Sequence, residues 1–357
     1  GSMRILVDAM SGDNAPLEIL KGTAMAAAEF SEDTFILVGN EGEIQRIAQE
    51  AGISLAGMTV RHTEGVVTMN DDPIASVRNK KDSSMMVALR MLADGEGDVV
   101  VSAGNTGALF TGASLIVRKL KGISRAAIGT VLPFKPPVLL LDSGANLVIN
   151  EDIMVQFAHM GTAYMKKMYG LNAPRVGILN NGEEECKGLP LQIESYKRLQ
   201  AEPGVNFVGN IESNRLMKDT CDVILTDGFS GNILLKMVEG MGKMLLGVLK
   251  GIFYQNFFTK LAALIVKKPL GAMKKDFDPA EHGGAPILGL AKPVIKAHGS
   301  SNAKAFKNAI RQAIQYTNSG VTEDIARNAL AFETERKAKA AAAKQAVTAE
   351  EKTDDQT

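Results

Sequence analysis

The chain has 357 residues, 45% hydrophobic and 22% charged. That balance belongs to a globular protein with room for a sizeable core, and it argues against a disordered or fibrous chain. Lys and Arg total 40, as do Asp and Glu, so no global basic footprint points to nucleic acid. The two cysteines, Cys186 and Cys221, have no metal-type spacing and fit a reducing compartment better than a disulfide framework.

Short apolar runs alternate with helical patterns along the chain. Arg4–Val7 reads as a strand and Leu17–Phe30 as a helix. Thr34–Val38 and Glu41–Glu50 repeat the pair. Asp98–Val101 leads through a Gly turn into a helix over Leu109–Leu120. Val138–Leu141, Arg175–Leu179 and Val223–Leu225 are further strands. Several runs are apolar throughout, as expected of strands covered on both faces. The fold class predicted is α/β, with a doubly wound, largely parallel sheet. One catalytic domain, or two lobes sharing a sheet, is expected over 3–332. It would include an apolar helical segment at 240–268. A charged, Ala-rich tail at 333–357 is expected to be helical at first and disordered over Glu350–Thr357. No run reaches the roughly 18 apolar residues of a spanning helix. With no signal-like stretch ahead of Arg4, a cytoplasmic location is expected.

The runs end in polar, Gly-bearing clusters. Arg4–Val7 is followed by Asp8, Ser11, Gly12, Asp13 and Asn14. Val99–Val101 is followed by Ser102, Gly104, Asn105, Thr106 and Gly107. Asp142, Ser143, Gly144 and Asn146 follow the third strand of this kind. Asn180–Glu184 follow the fourth, and Thr226–Asn232 the fifth. In an open parallel sheet such ends line one edge, where ligands bind. Gly admits close backbone approach to an anion, and a helix N-terminus adds its dipole. Any one cluster is explained as well by turn and cap chemistry. Five together predict a shared pocket for phosphate or an oxyanion. None is a Walker loop or a dinucleotide fingerprint.

The same segments carry a family likeness. Asp8-Ala-Met-Ser-Gly-Asp13, Ser102-Ala-Gly-Asn-Thr-Gly-Ala-Leu109 and Gly182-Glu-Glu-Glu-Cys-Lys-Gly188 are three of them. Thr226-Asp-Gly-Phe-Ser-Gly-Asn232 with Lys236 and Glu239-Gly240, Gly283-Gly-Ala-Pro-Ile-Leu-Gly289 and Lys296-Ala-His-Gly-Ser-Ser301 are the others. In order and spacing, over roughly Met3 to Gly320, they resemble the PlsX family of bacterial phosphate acyltransferases. Ser11 and Ser143 depart from the family's usual Gly and aliphatic residue. The resemblance implies transfer of an acyl group from acyl carrier protein to inorganic phosphate, for phospholipid synthesis. It also implies a homodimer with a fold similar to isopropylmalate dehydrogenase and phosphotransacetylase. No cofactor or metal is expected.

For that reaction the enzyme holds phosphate at attack distance and stabilises an oxyanion. Asn105, Asn232, Lys187, His282, His298 and Asp227 are the candidate catalytic residues. Asp8, Gly12, Asn14, Ser102, Gly104, Thr106, Asp142, Asn146, Glu184, Ser230 and Lys236 are the candidate substrate-binding residues. Cys186 lies in an acidic run that disfavours a thiolate, so it is not expected to be a nucleophile. Arg78, Lys80 and Lys81 form a local basic patch that would steer an acidic carrier. Apolar positions at helical spacing over Met241–Val266, flanked by lysines, suit either a dimer seam or an anionic membrane surface. Leu249, Phe253, Phe257, Phe258 and Leu261 are the candidate membrane contacts. The lipid pathway would place a glycerol-phosphate acyltransferase downstream. A metal-dependent decarboxylating dehydrogenase, a phosphotransacetylase using coenzyme A, and a non-catalytic phosphate- or lipid-binding regulator are the alternatives.

Overall fold

The computed structural model describes residues 2–354. Among the described residues eleven strands form one sheet. They are β1 (Arg4–Asp8), β2 (Thr34–Gly39), β3 (Met58–His62), β4 (Val99–Ser102), β5 (Ala127–Leu132) and β6 (Val138–Leu141). The remainder are β7 (Arg175–Leu179), β8 (Asn206–Ile211), β9 (Val223–Leu225), β10 (Ala285–Leu288) and β11 (Val294–Lys296). Their spatial order is β3-β2-β1-β4-β11-β10-β5-β6-β9-β7-β8.

The all-apolar runs are explained by burial on both faces. Ile5 and Val7 of β1 pack into one core cluster while Leu6 packs into another; Val99 and Val101 of β4 separate from Val100 in the same way. The period-2 alternation of a strand sends neighbours to opposite faces, so both faces need apolar side chains. Helices start on side-chain caps: Asn40, Asp72, Asn105, Asn150, Asp227 and Asn302 each accept a backbone N–H from the first turn. Such a bond satisfies one of the donors that a helix start leaves open.

Among the described residues seven of the ten strand pairings are parallel. Three are antiparallel: β11 with β10, β10 with β5, and β5 with β6. An odd number of reversals turns the chain direction over. Strands β1, β2, β3, β4 and β11 therefore run one way, and β6, β7, β8 and β9 the other. The loops after β1 and β4 leave the sheet at one edge, and those after β6, β7 and β9 at the opposite edge. This corrects the expectation that all five polar clusters share one edge.

The helix after β4 and the last helix depart from the sequence reading. The helix after β4 begins at Thr106 rather than Leu109, because Asn105 caps it, and helical structure stops at Val117. The last helix spans Val321–Asp354, so Glu350–Asp354 is ordered helix; 355–357 lie outside the described residues. Ala, Lys, Glu and Gln are strong helix formers. Pairs such as Glu333–Lys337 and Glu335–Lys339, four apart, support the coil-free run.

Candidate active site

At the first edge, the Asp8 carboxylate is fully buried and accepts hydrogen bonds from Ser84 Oγ at 2.6 Å and Ser102 Oγ at 2.7 Å. Burial pushes its pKa up, and these hydroxyl bonds partly offset that. Ser102 Oγ in turn accepts the Gly104 N–H at 3.1 Å. Gly12 has φ of +118°, a conformation that side chains rarely adopt, and a Cβ there would sit 3.2 Å from Ala103. Asp13 N–H donates to the Gly299 carbonyl at 2.9 Å, and Asn14 Nδ2 reaches the carbonyls of Ser300 and Ser301. The turns after β1, β4 and β11 are thus stitched to one another.

At the second edge, Asp142 is also fully buried. It accepts the backbone N–H groups of Ile128, Gly144, Ala145 and Asn146, and Asn146 Nδ2 at 2.9 Å. Burial raises its pKa too. Asn146 Nδ2 donates as well to the Ala126 carbonyl at 2.7 Å. Asp227 caps the Gly228–Phe253 helix through Ser230 N and Ser230 Oγ, at 2.8 and 2.9 Å. Asn232, one turn along, packs on Gly144, where an added Cβ would lie 3.0 Å from Asn232 Nδ2. Lys187 and Glu184 stand exposed in the loop after β7.

One cleft lies along the route between the edges. Its walls include Thr130, Val131, Leu235, Val238, Glu239, Gly242, Phe277, His282, Lys296 and His298. The Gly228–Phe253 helix supplies one wall through Leu235, Val238, Glu239 and Gly242; beside it run Asn232, Lys236, Glu239 and Lys243, spaced four, three and four apart. That spacing keeps them on one helical stripe, about 16 Å long at 1.5 Å per residue. Facing it are Lys296, in register with Ser102 on the neighbouring strand, and His298. Burial lowers the Lys296 pKa first; the Glu239 charge raises it and the Lys236 charge lowers it. Among the described residues Lys296 makes no salt bridge or side-chain hydrogen bond, so its ammonium is uncommitted. His298 has its pKa lowered by desolvation, then by the Lys296 charge. Its Nδ1 accepts the Ser300 N–H at 3.3 Å and lies 2.8 Å from Ser300 Oγ. A neutral ring that accepts at Nδ1 carries its proton on Nε2. Thr130 Oγ1 donates to Ser143 Oγ at 2.9 Å, which donates to the Ile128 carbonyl. Through that link the cleft touches the turn after β6, whose Gly144 packs against Asn232.

The predicted residues divide accordingly. Asn232, Lys236, His282 and His298 belong to this cleft or its stripe. Asp8, Gly12, Asn14, Ser102, Gly104 and Thr106 stand at the first edge, and Asp142, Asn146, Asp227, Ser230, Lys187 and Glu184 at the second. Asn105 is spent locally: its Oδ1 caps a helix while its Nδ2 donates to the carbonyls of Thr68, Met69 and Asp71. His282 Nε2 donates to the Asp276 carbonyl at 2.7 Å, steadying the end of the Lys267–Phe277 helix. Lys296 and Glu239 were not singled out in the sequence. Lys296 ends β11, and His298 stands two residues beyond it in the loop that follows.

Lys80 is tied down by Asp71 at 2.5 Å and the Val66 carbonyl at 3.0 Å, which leaves Arg78 and Lys81 as the exposed part of the basic patch. Phe257, Phe258 and Leu261 are exposed at 69%, 78% and 42%, while Leu249 and Phe253 are half-buried. No helix among the described residues is long and apolar enough to cross a membrane. Cys186 is exposed and Cys221 buried, both as free thiols. Among the described residues no group of three or more His, Cys, Asp or Glu is placed to hold a metal ion.

A wide mixed sheet with two opposed parallel halves and a cationic cleft between its edges defines an α/β fold of the phosphotransacetylase type. It superposes on a phosphotransacetylase from Streptococcus pyogenes with a TM-score of 0.60 at 15% identity, covering 89% of this chain and 94% of that one. The model of the fatty acid synthesis protein family matches residues 3–324. A phosphate acyltransferase from Acetivibrio thermocellus is 41% identical over 334 residues, 93% of this chain and 98% of that protein. Another, from Thermoanaerobacterium thermosaccharolyticum, is 44% identical over 312 residues, 87% of this chain and 92% of its own length. The chain belongs to the fatty acid synthesis protein family, and it is an acyltransferase.

Proposed function

We propose that the cleft transfers an acyl group from the thioester of acyl carrier protein to inorganic phosphate, giving acyl phosphate for phospholipid synthesis. The observation that carries this reading is the uncommitted Lys296 ammonium beside the Nε2–H of a neutral His298. One is a charge for phosphate; the other is a neutral donor for a developing oxyanion. Lys236, on the helix across the cleft, adds a second cation for the phosphate. Asn232 and the Ser143–Gly144 turn extend the polar wall.

A lone pair on a phosphate oxygen forms the new C–O bond at the thioester carbonyl carbon. The carbonyl oxygen takes the displaced π pair and is held by His298 Nε2–H. When the carbonyl re-forms, the C–S bond breaks and its pair leaves with the carrier sulfur as thiolate. The thiolate then takes the proton released by phosphate. No acyl-enzyme is needed, since phosphate at neutral pH is itself the nucleophile.

The exposed Arg78 and Lys81 support docking of an acidic carrier. The exposed apolar face around Phe257 and Phe258 supports a homodimer seam with peripheral contact to anionic lipid, within reach of a downstream glycerol-phosphate acyltransferase. Protein, orthophosphate and a long-chain acyl-carrier thioester, mixed without metal or nicotinamide, test the reaction. Phosphate-dependent thiol release, with acyl phosphate seen by phosphorus NMR, is the expected result. Thiol release that ignores phosphate, or that needs coenzyme A as acceptor, overturns the reading.

A further inference from the structure

The turn that presents His298 is held by a side chain 286 residues ahead of Ser300. Asn14 Nδ2 donates to the Ser300 carbonyl at 3.2 Å and to the Ser301 carbonyl at 3.3 Å. Ser300 is also the residue whose N–H and hydroxyl meet His298 Nδ1. Asn14 and His298 are therefore two links apart, with Ser300 between them. Around them, Asp13 N–H donates to the Gly299 carbonyl, and Ser301 N–H and Oγ bond back to the His298 carbonyl. Behind the turn, the Leu17–Glu29 helix that follows Asn14 lies against the Ala303–Ser319 helix that follows Asn302. A Cβ on Gly22 would fall 2.6 Å from the Ala303 carbonyl oxygen, and Glu29 pairs with Lys307 at 2.6 Å. The two elements that carry Asn14 and the His298 turn are thus locked to each other at close range.

Resting on the reaction proposed above, we infer that Asn14 is a positioning residue, which acts through Ser300 on His298 and does not touch phosphate. Both hydrogens of its Nδ2 have carbonyl acceptors, so the amide keeps no donor for an anion. Its Oδ1 is an acceptor and would repel one. What the grip supplies is a fixed Ser300, with N–H and hydroxyl aimed at Nδ1. Donors there leave the ring's proton on Nε2, where the oxyanion is held. A released Ser300 frees the imidazole to take the other tautomer, whose Nε2 only accepts and cannot stabilise an oxyanion. It also weakens a bond that favours the neutral ring, so His298 then protonates at higher pH. The charged groups that face the ring are Lys296 at the end of β11, Glu239 and Lys243 on the Gly228–Phe253 helix, and Asp13 in the opening turn. His282 shares the cleft but is committed to the Asp276 carbonyl. None of these changes when Asn14 is replaced.

The test is Asn14→Ala in the full chain, a change at an exposed residue. The kcat is expected to fall about fivefold, the worth of one hydrogen bond that orients, while the KM for phosphate and for the carrier thioester stays put. The acid limb of kcat is expected to move to higher pH. Asn14→Gln, which keeps the donor, is expected to recover most of the loss. In a His298→Ala background Asn14→Ala is expected to cost nothing more, because the two act as one unit. A raised phosphate KM, or the same fall in the absence of the His298 ring, makes Asn14 a substrate contact and overturns the inference. A fall in kcat with an unmoved acid limb leaves Asn14 a structural role only and overturns it too. If Asn14→Ala does not fold, the isosteric Asn14→Asp, which has no N–H to give, decides by the same cycle. If the parent makes no acyl phosphate at all, the reaction reading fails instead. Positioning is then read from imidazole nitrogen NMR of the four histidines, with His298 assigned by its loss in His298→Ala. One tautomer in the parent and a mixture in Asn14→Ala is the expected result, and one unchanged tautomer in both overturns it.

Discussion

Glu239 and Lys296 line the same cleft from the helix and the strand, yet they stay farther than 4 Å apart and form no ion pair. The carboxylate is near enough to favour the ammonium and too far to neutralise it. A charge kept available in this way suits an incoming dianion better than one locked in a salt bridge.

Replacing Lys296 by Gln is expected to lower kcat/KM for phosphate by about a hundredfold, the usual scale for losing one preorganised electrostatic contact. Thermal stability should barely change. The sign of the pH effect follows from burial. A lysine whose pKa is lowered loses its charge as pH rises through that lower value. The alkaline limb of kcat/KM for phosphate is thus expected below the ordinary lysine range. Lys296→Arg should move that limb upward, because guanidinium stays charged. A limb that does not move in Lys296→Arg would assign it to another group.

His298→Ala is expected to cost about a hundredfold in kcat with little change in KM, as an oxyanion donor does. Since its pKa is lowered, the ring should stay neutral below the free imidazole value of about 6.5. An acid limb caused by its protonation therefore lies below that point. Ser300→Ala removes the hydroxyl at Nδ1 but keeps the backbone donor, so a drop of less than tenfold is expected. Steady-state kinetics across pH 5 to 9, roughly the range in which imidazole titrates, separates the two variants.

Asp142→Ala is expected to destabilise the fold by about 3 kcal/mol or more, because several buried N–H groups lose their acceptor at once. Denaturant titration reads this directly. A variant as stable as the parent would mean that water replaces the carboxylate. Asp142→Asn should retain part of the stability, since its amide oxygen still accepts.

Charge reversal at Lys81 and Arg78 is expected to raise the KM for the carrier severalfold at low salt, with the difference shrinking as salt screens it. Lys80→Glu should act differently. That side chain straps the Val66–Asp71 loop, so its loss is expected to show in stability as well. Equal effects of all three at every salt concentration would remove the docking idea.

Much of the local fold was legible in the sequence. Val138–Leu141, Arg175–Leu179 and Val223–Leu225 are strands with the boundaries read from their apolar runs. Strands β3, β5, β8, β10 and β11 were not legible, being short or mixed in polarity. Direction was not legible at all. Whether Ala285–Leu288 runs with or against its neighbours depends on partners far away in the chain, and those three antiparallel pairings decide which loops can meet. Asn105 shows the same limit at one residue: its cap was readable from the motif, but its hold on Thr68, Met69 and Asp71 was not. Lys296 sat in a recognised motif, and only packing revealed that its charge has no partner.

The Gly228–Phe253 helix is a single rod of 26 residues, about 39 Å from end to end. Its foot is pinned by Asp227 at one margin of the sheet, its middle forms the wall with Glu239 and Gly242, and its far third projects with Val248 and Ile252 uncovered. Whatever covers the projecting third therefore bears on the same continuous helix that walls the cleft at Glu239.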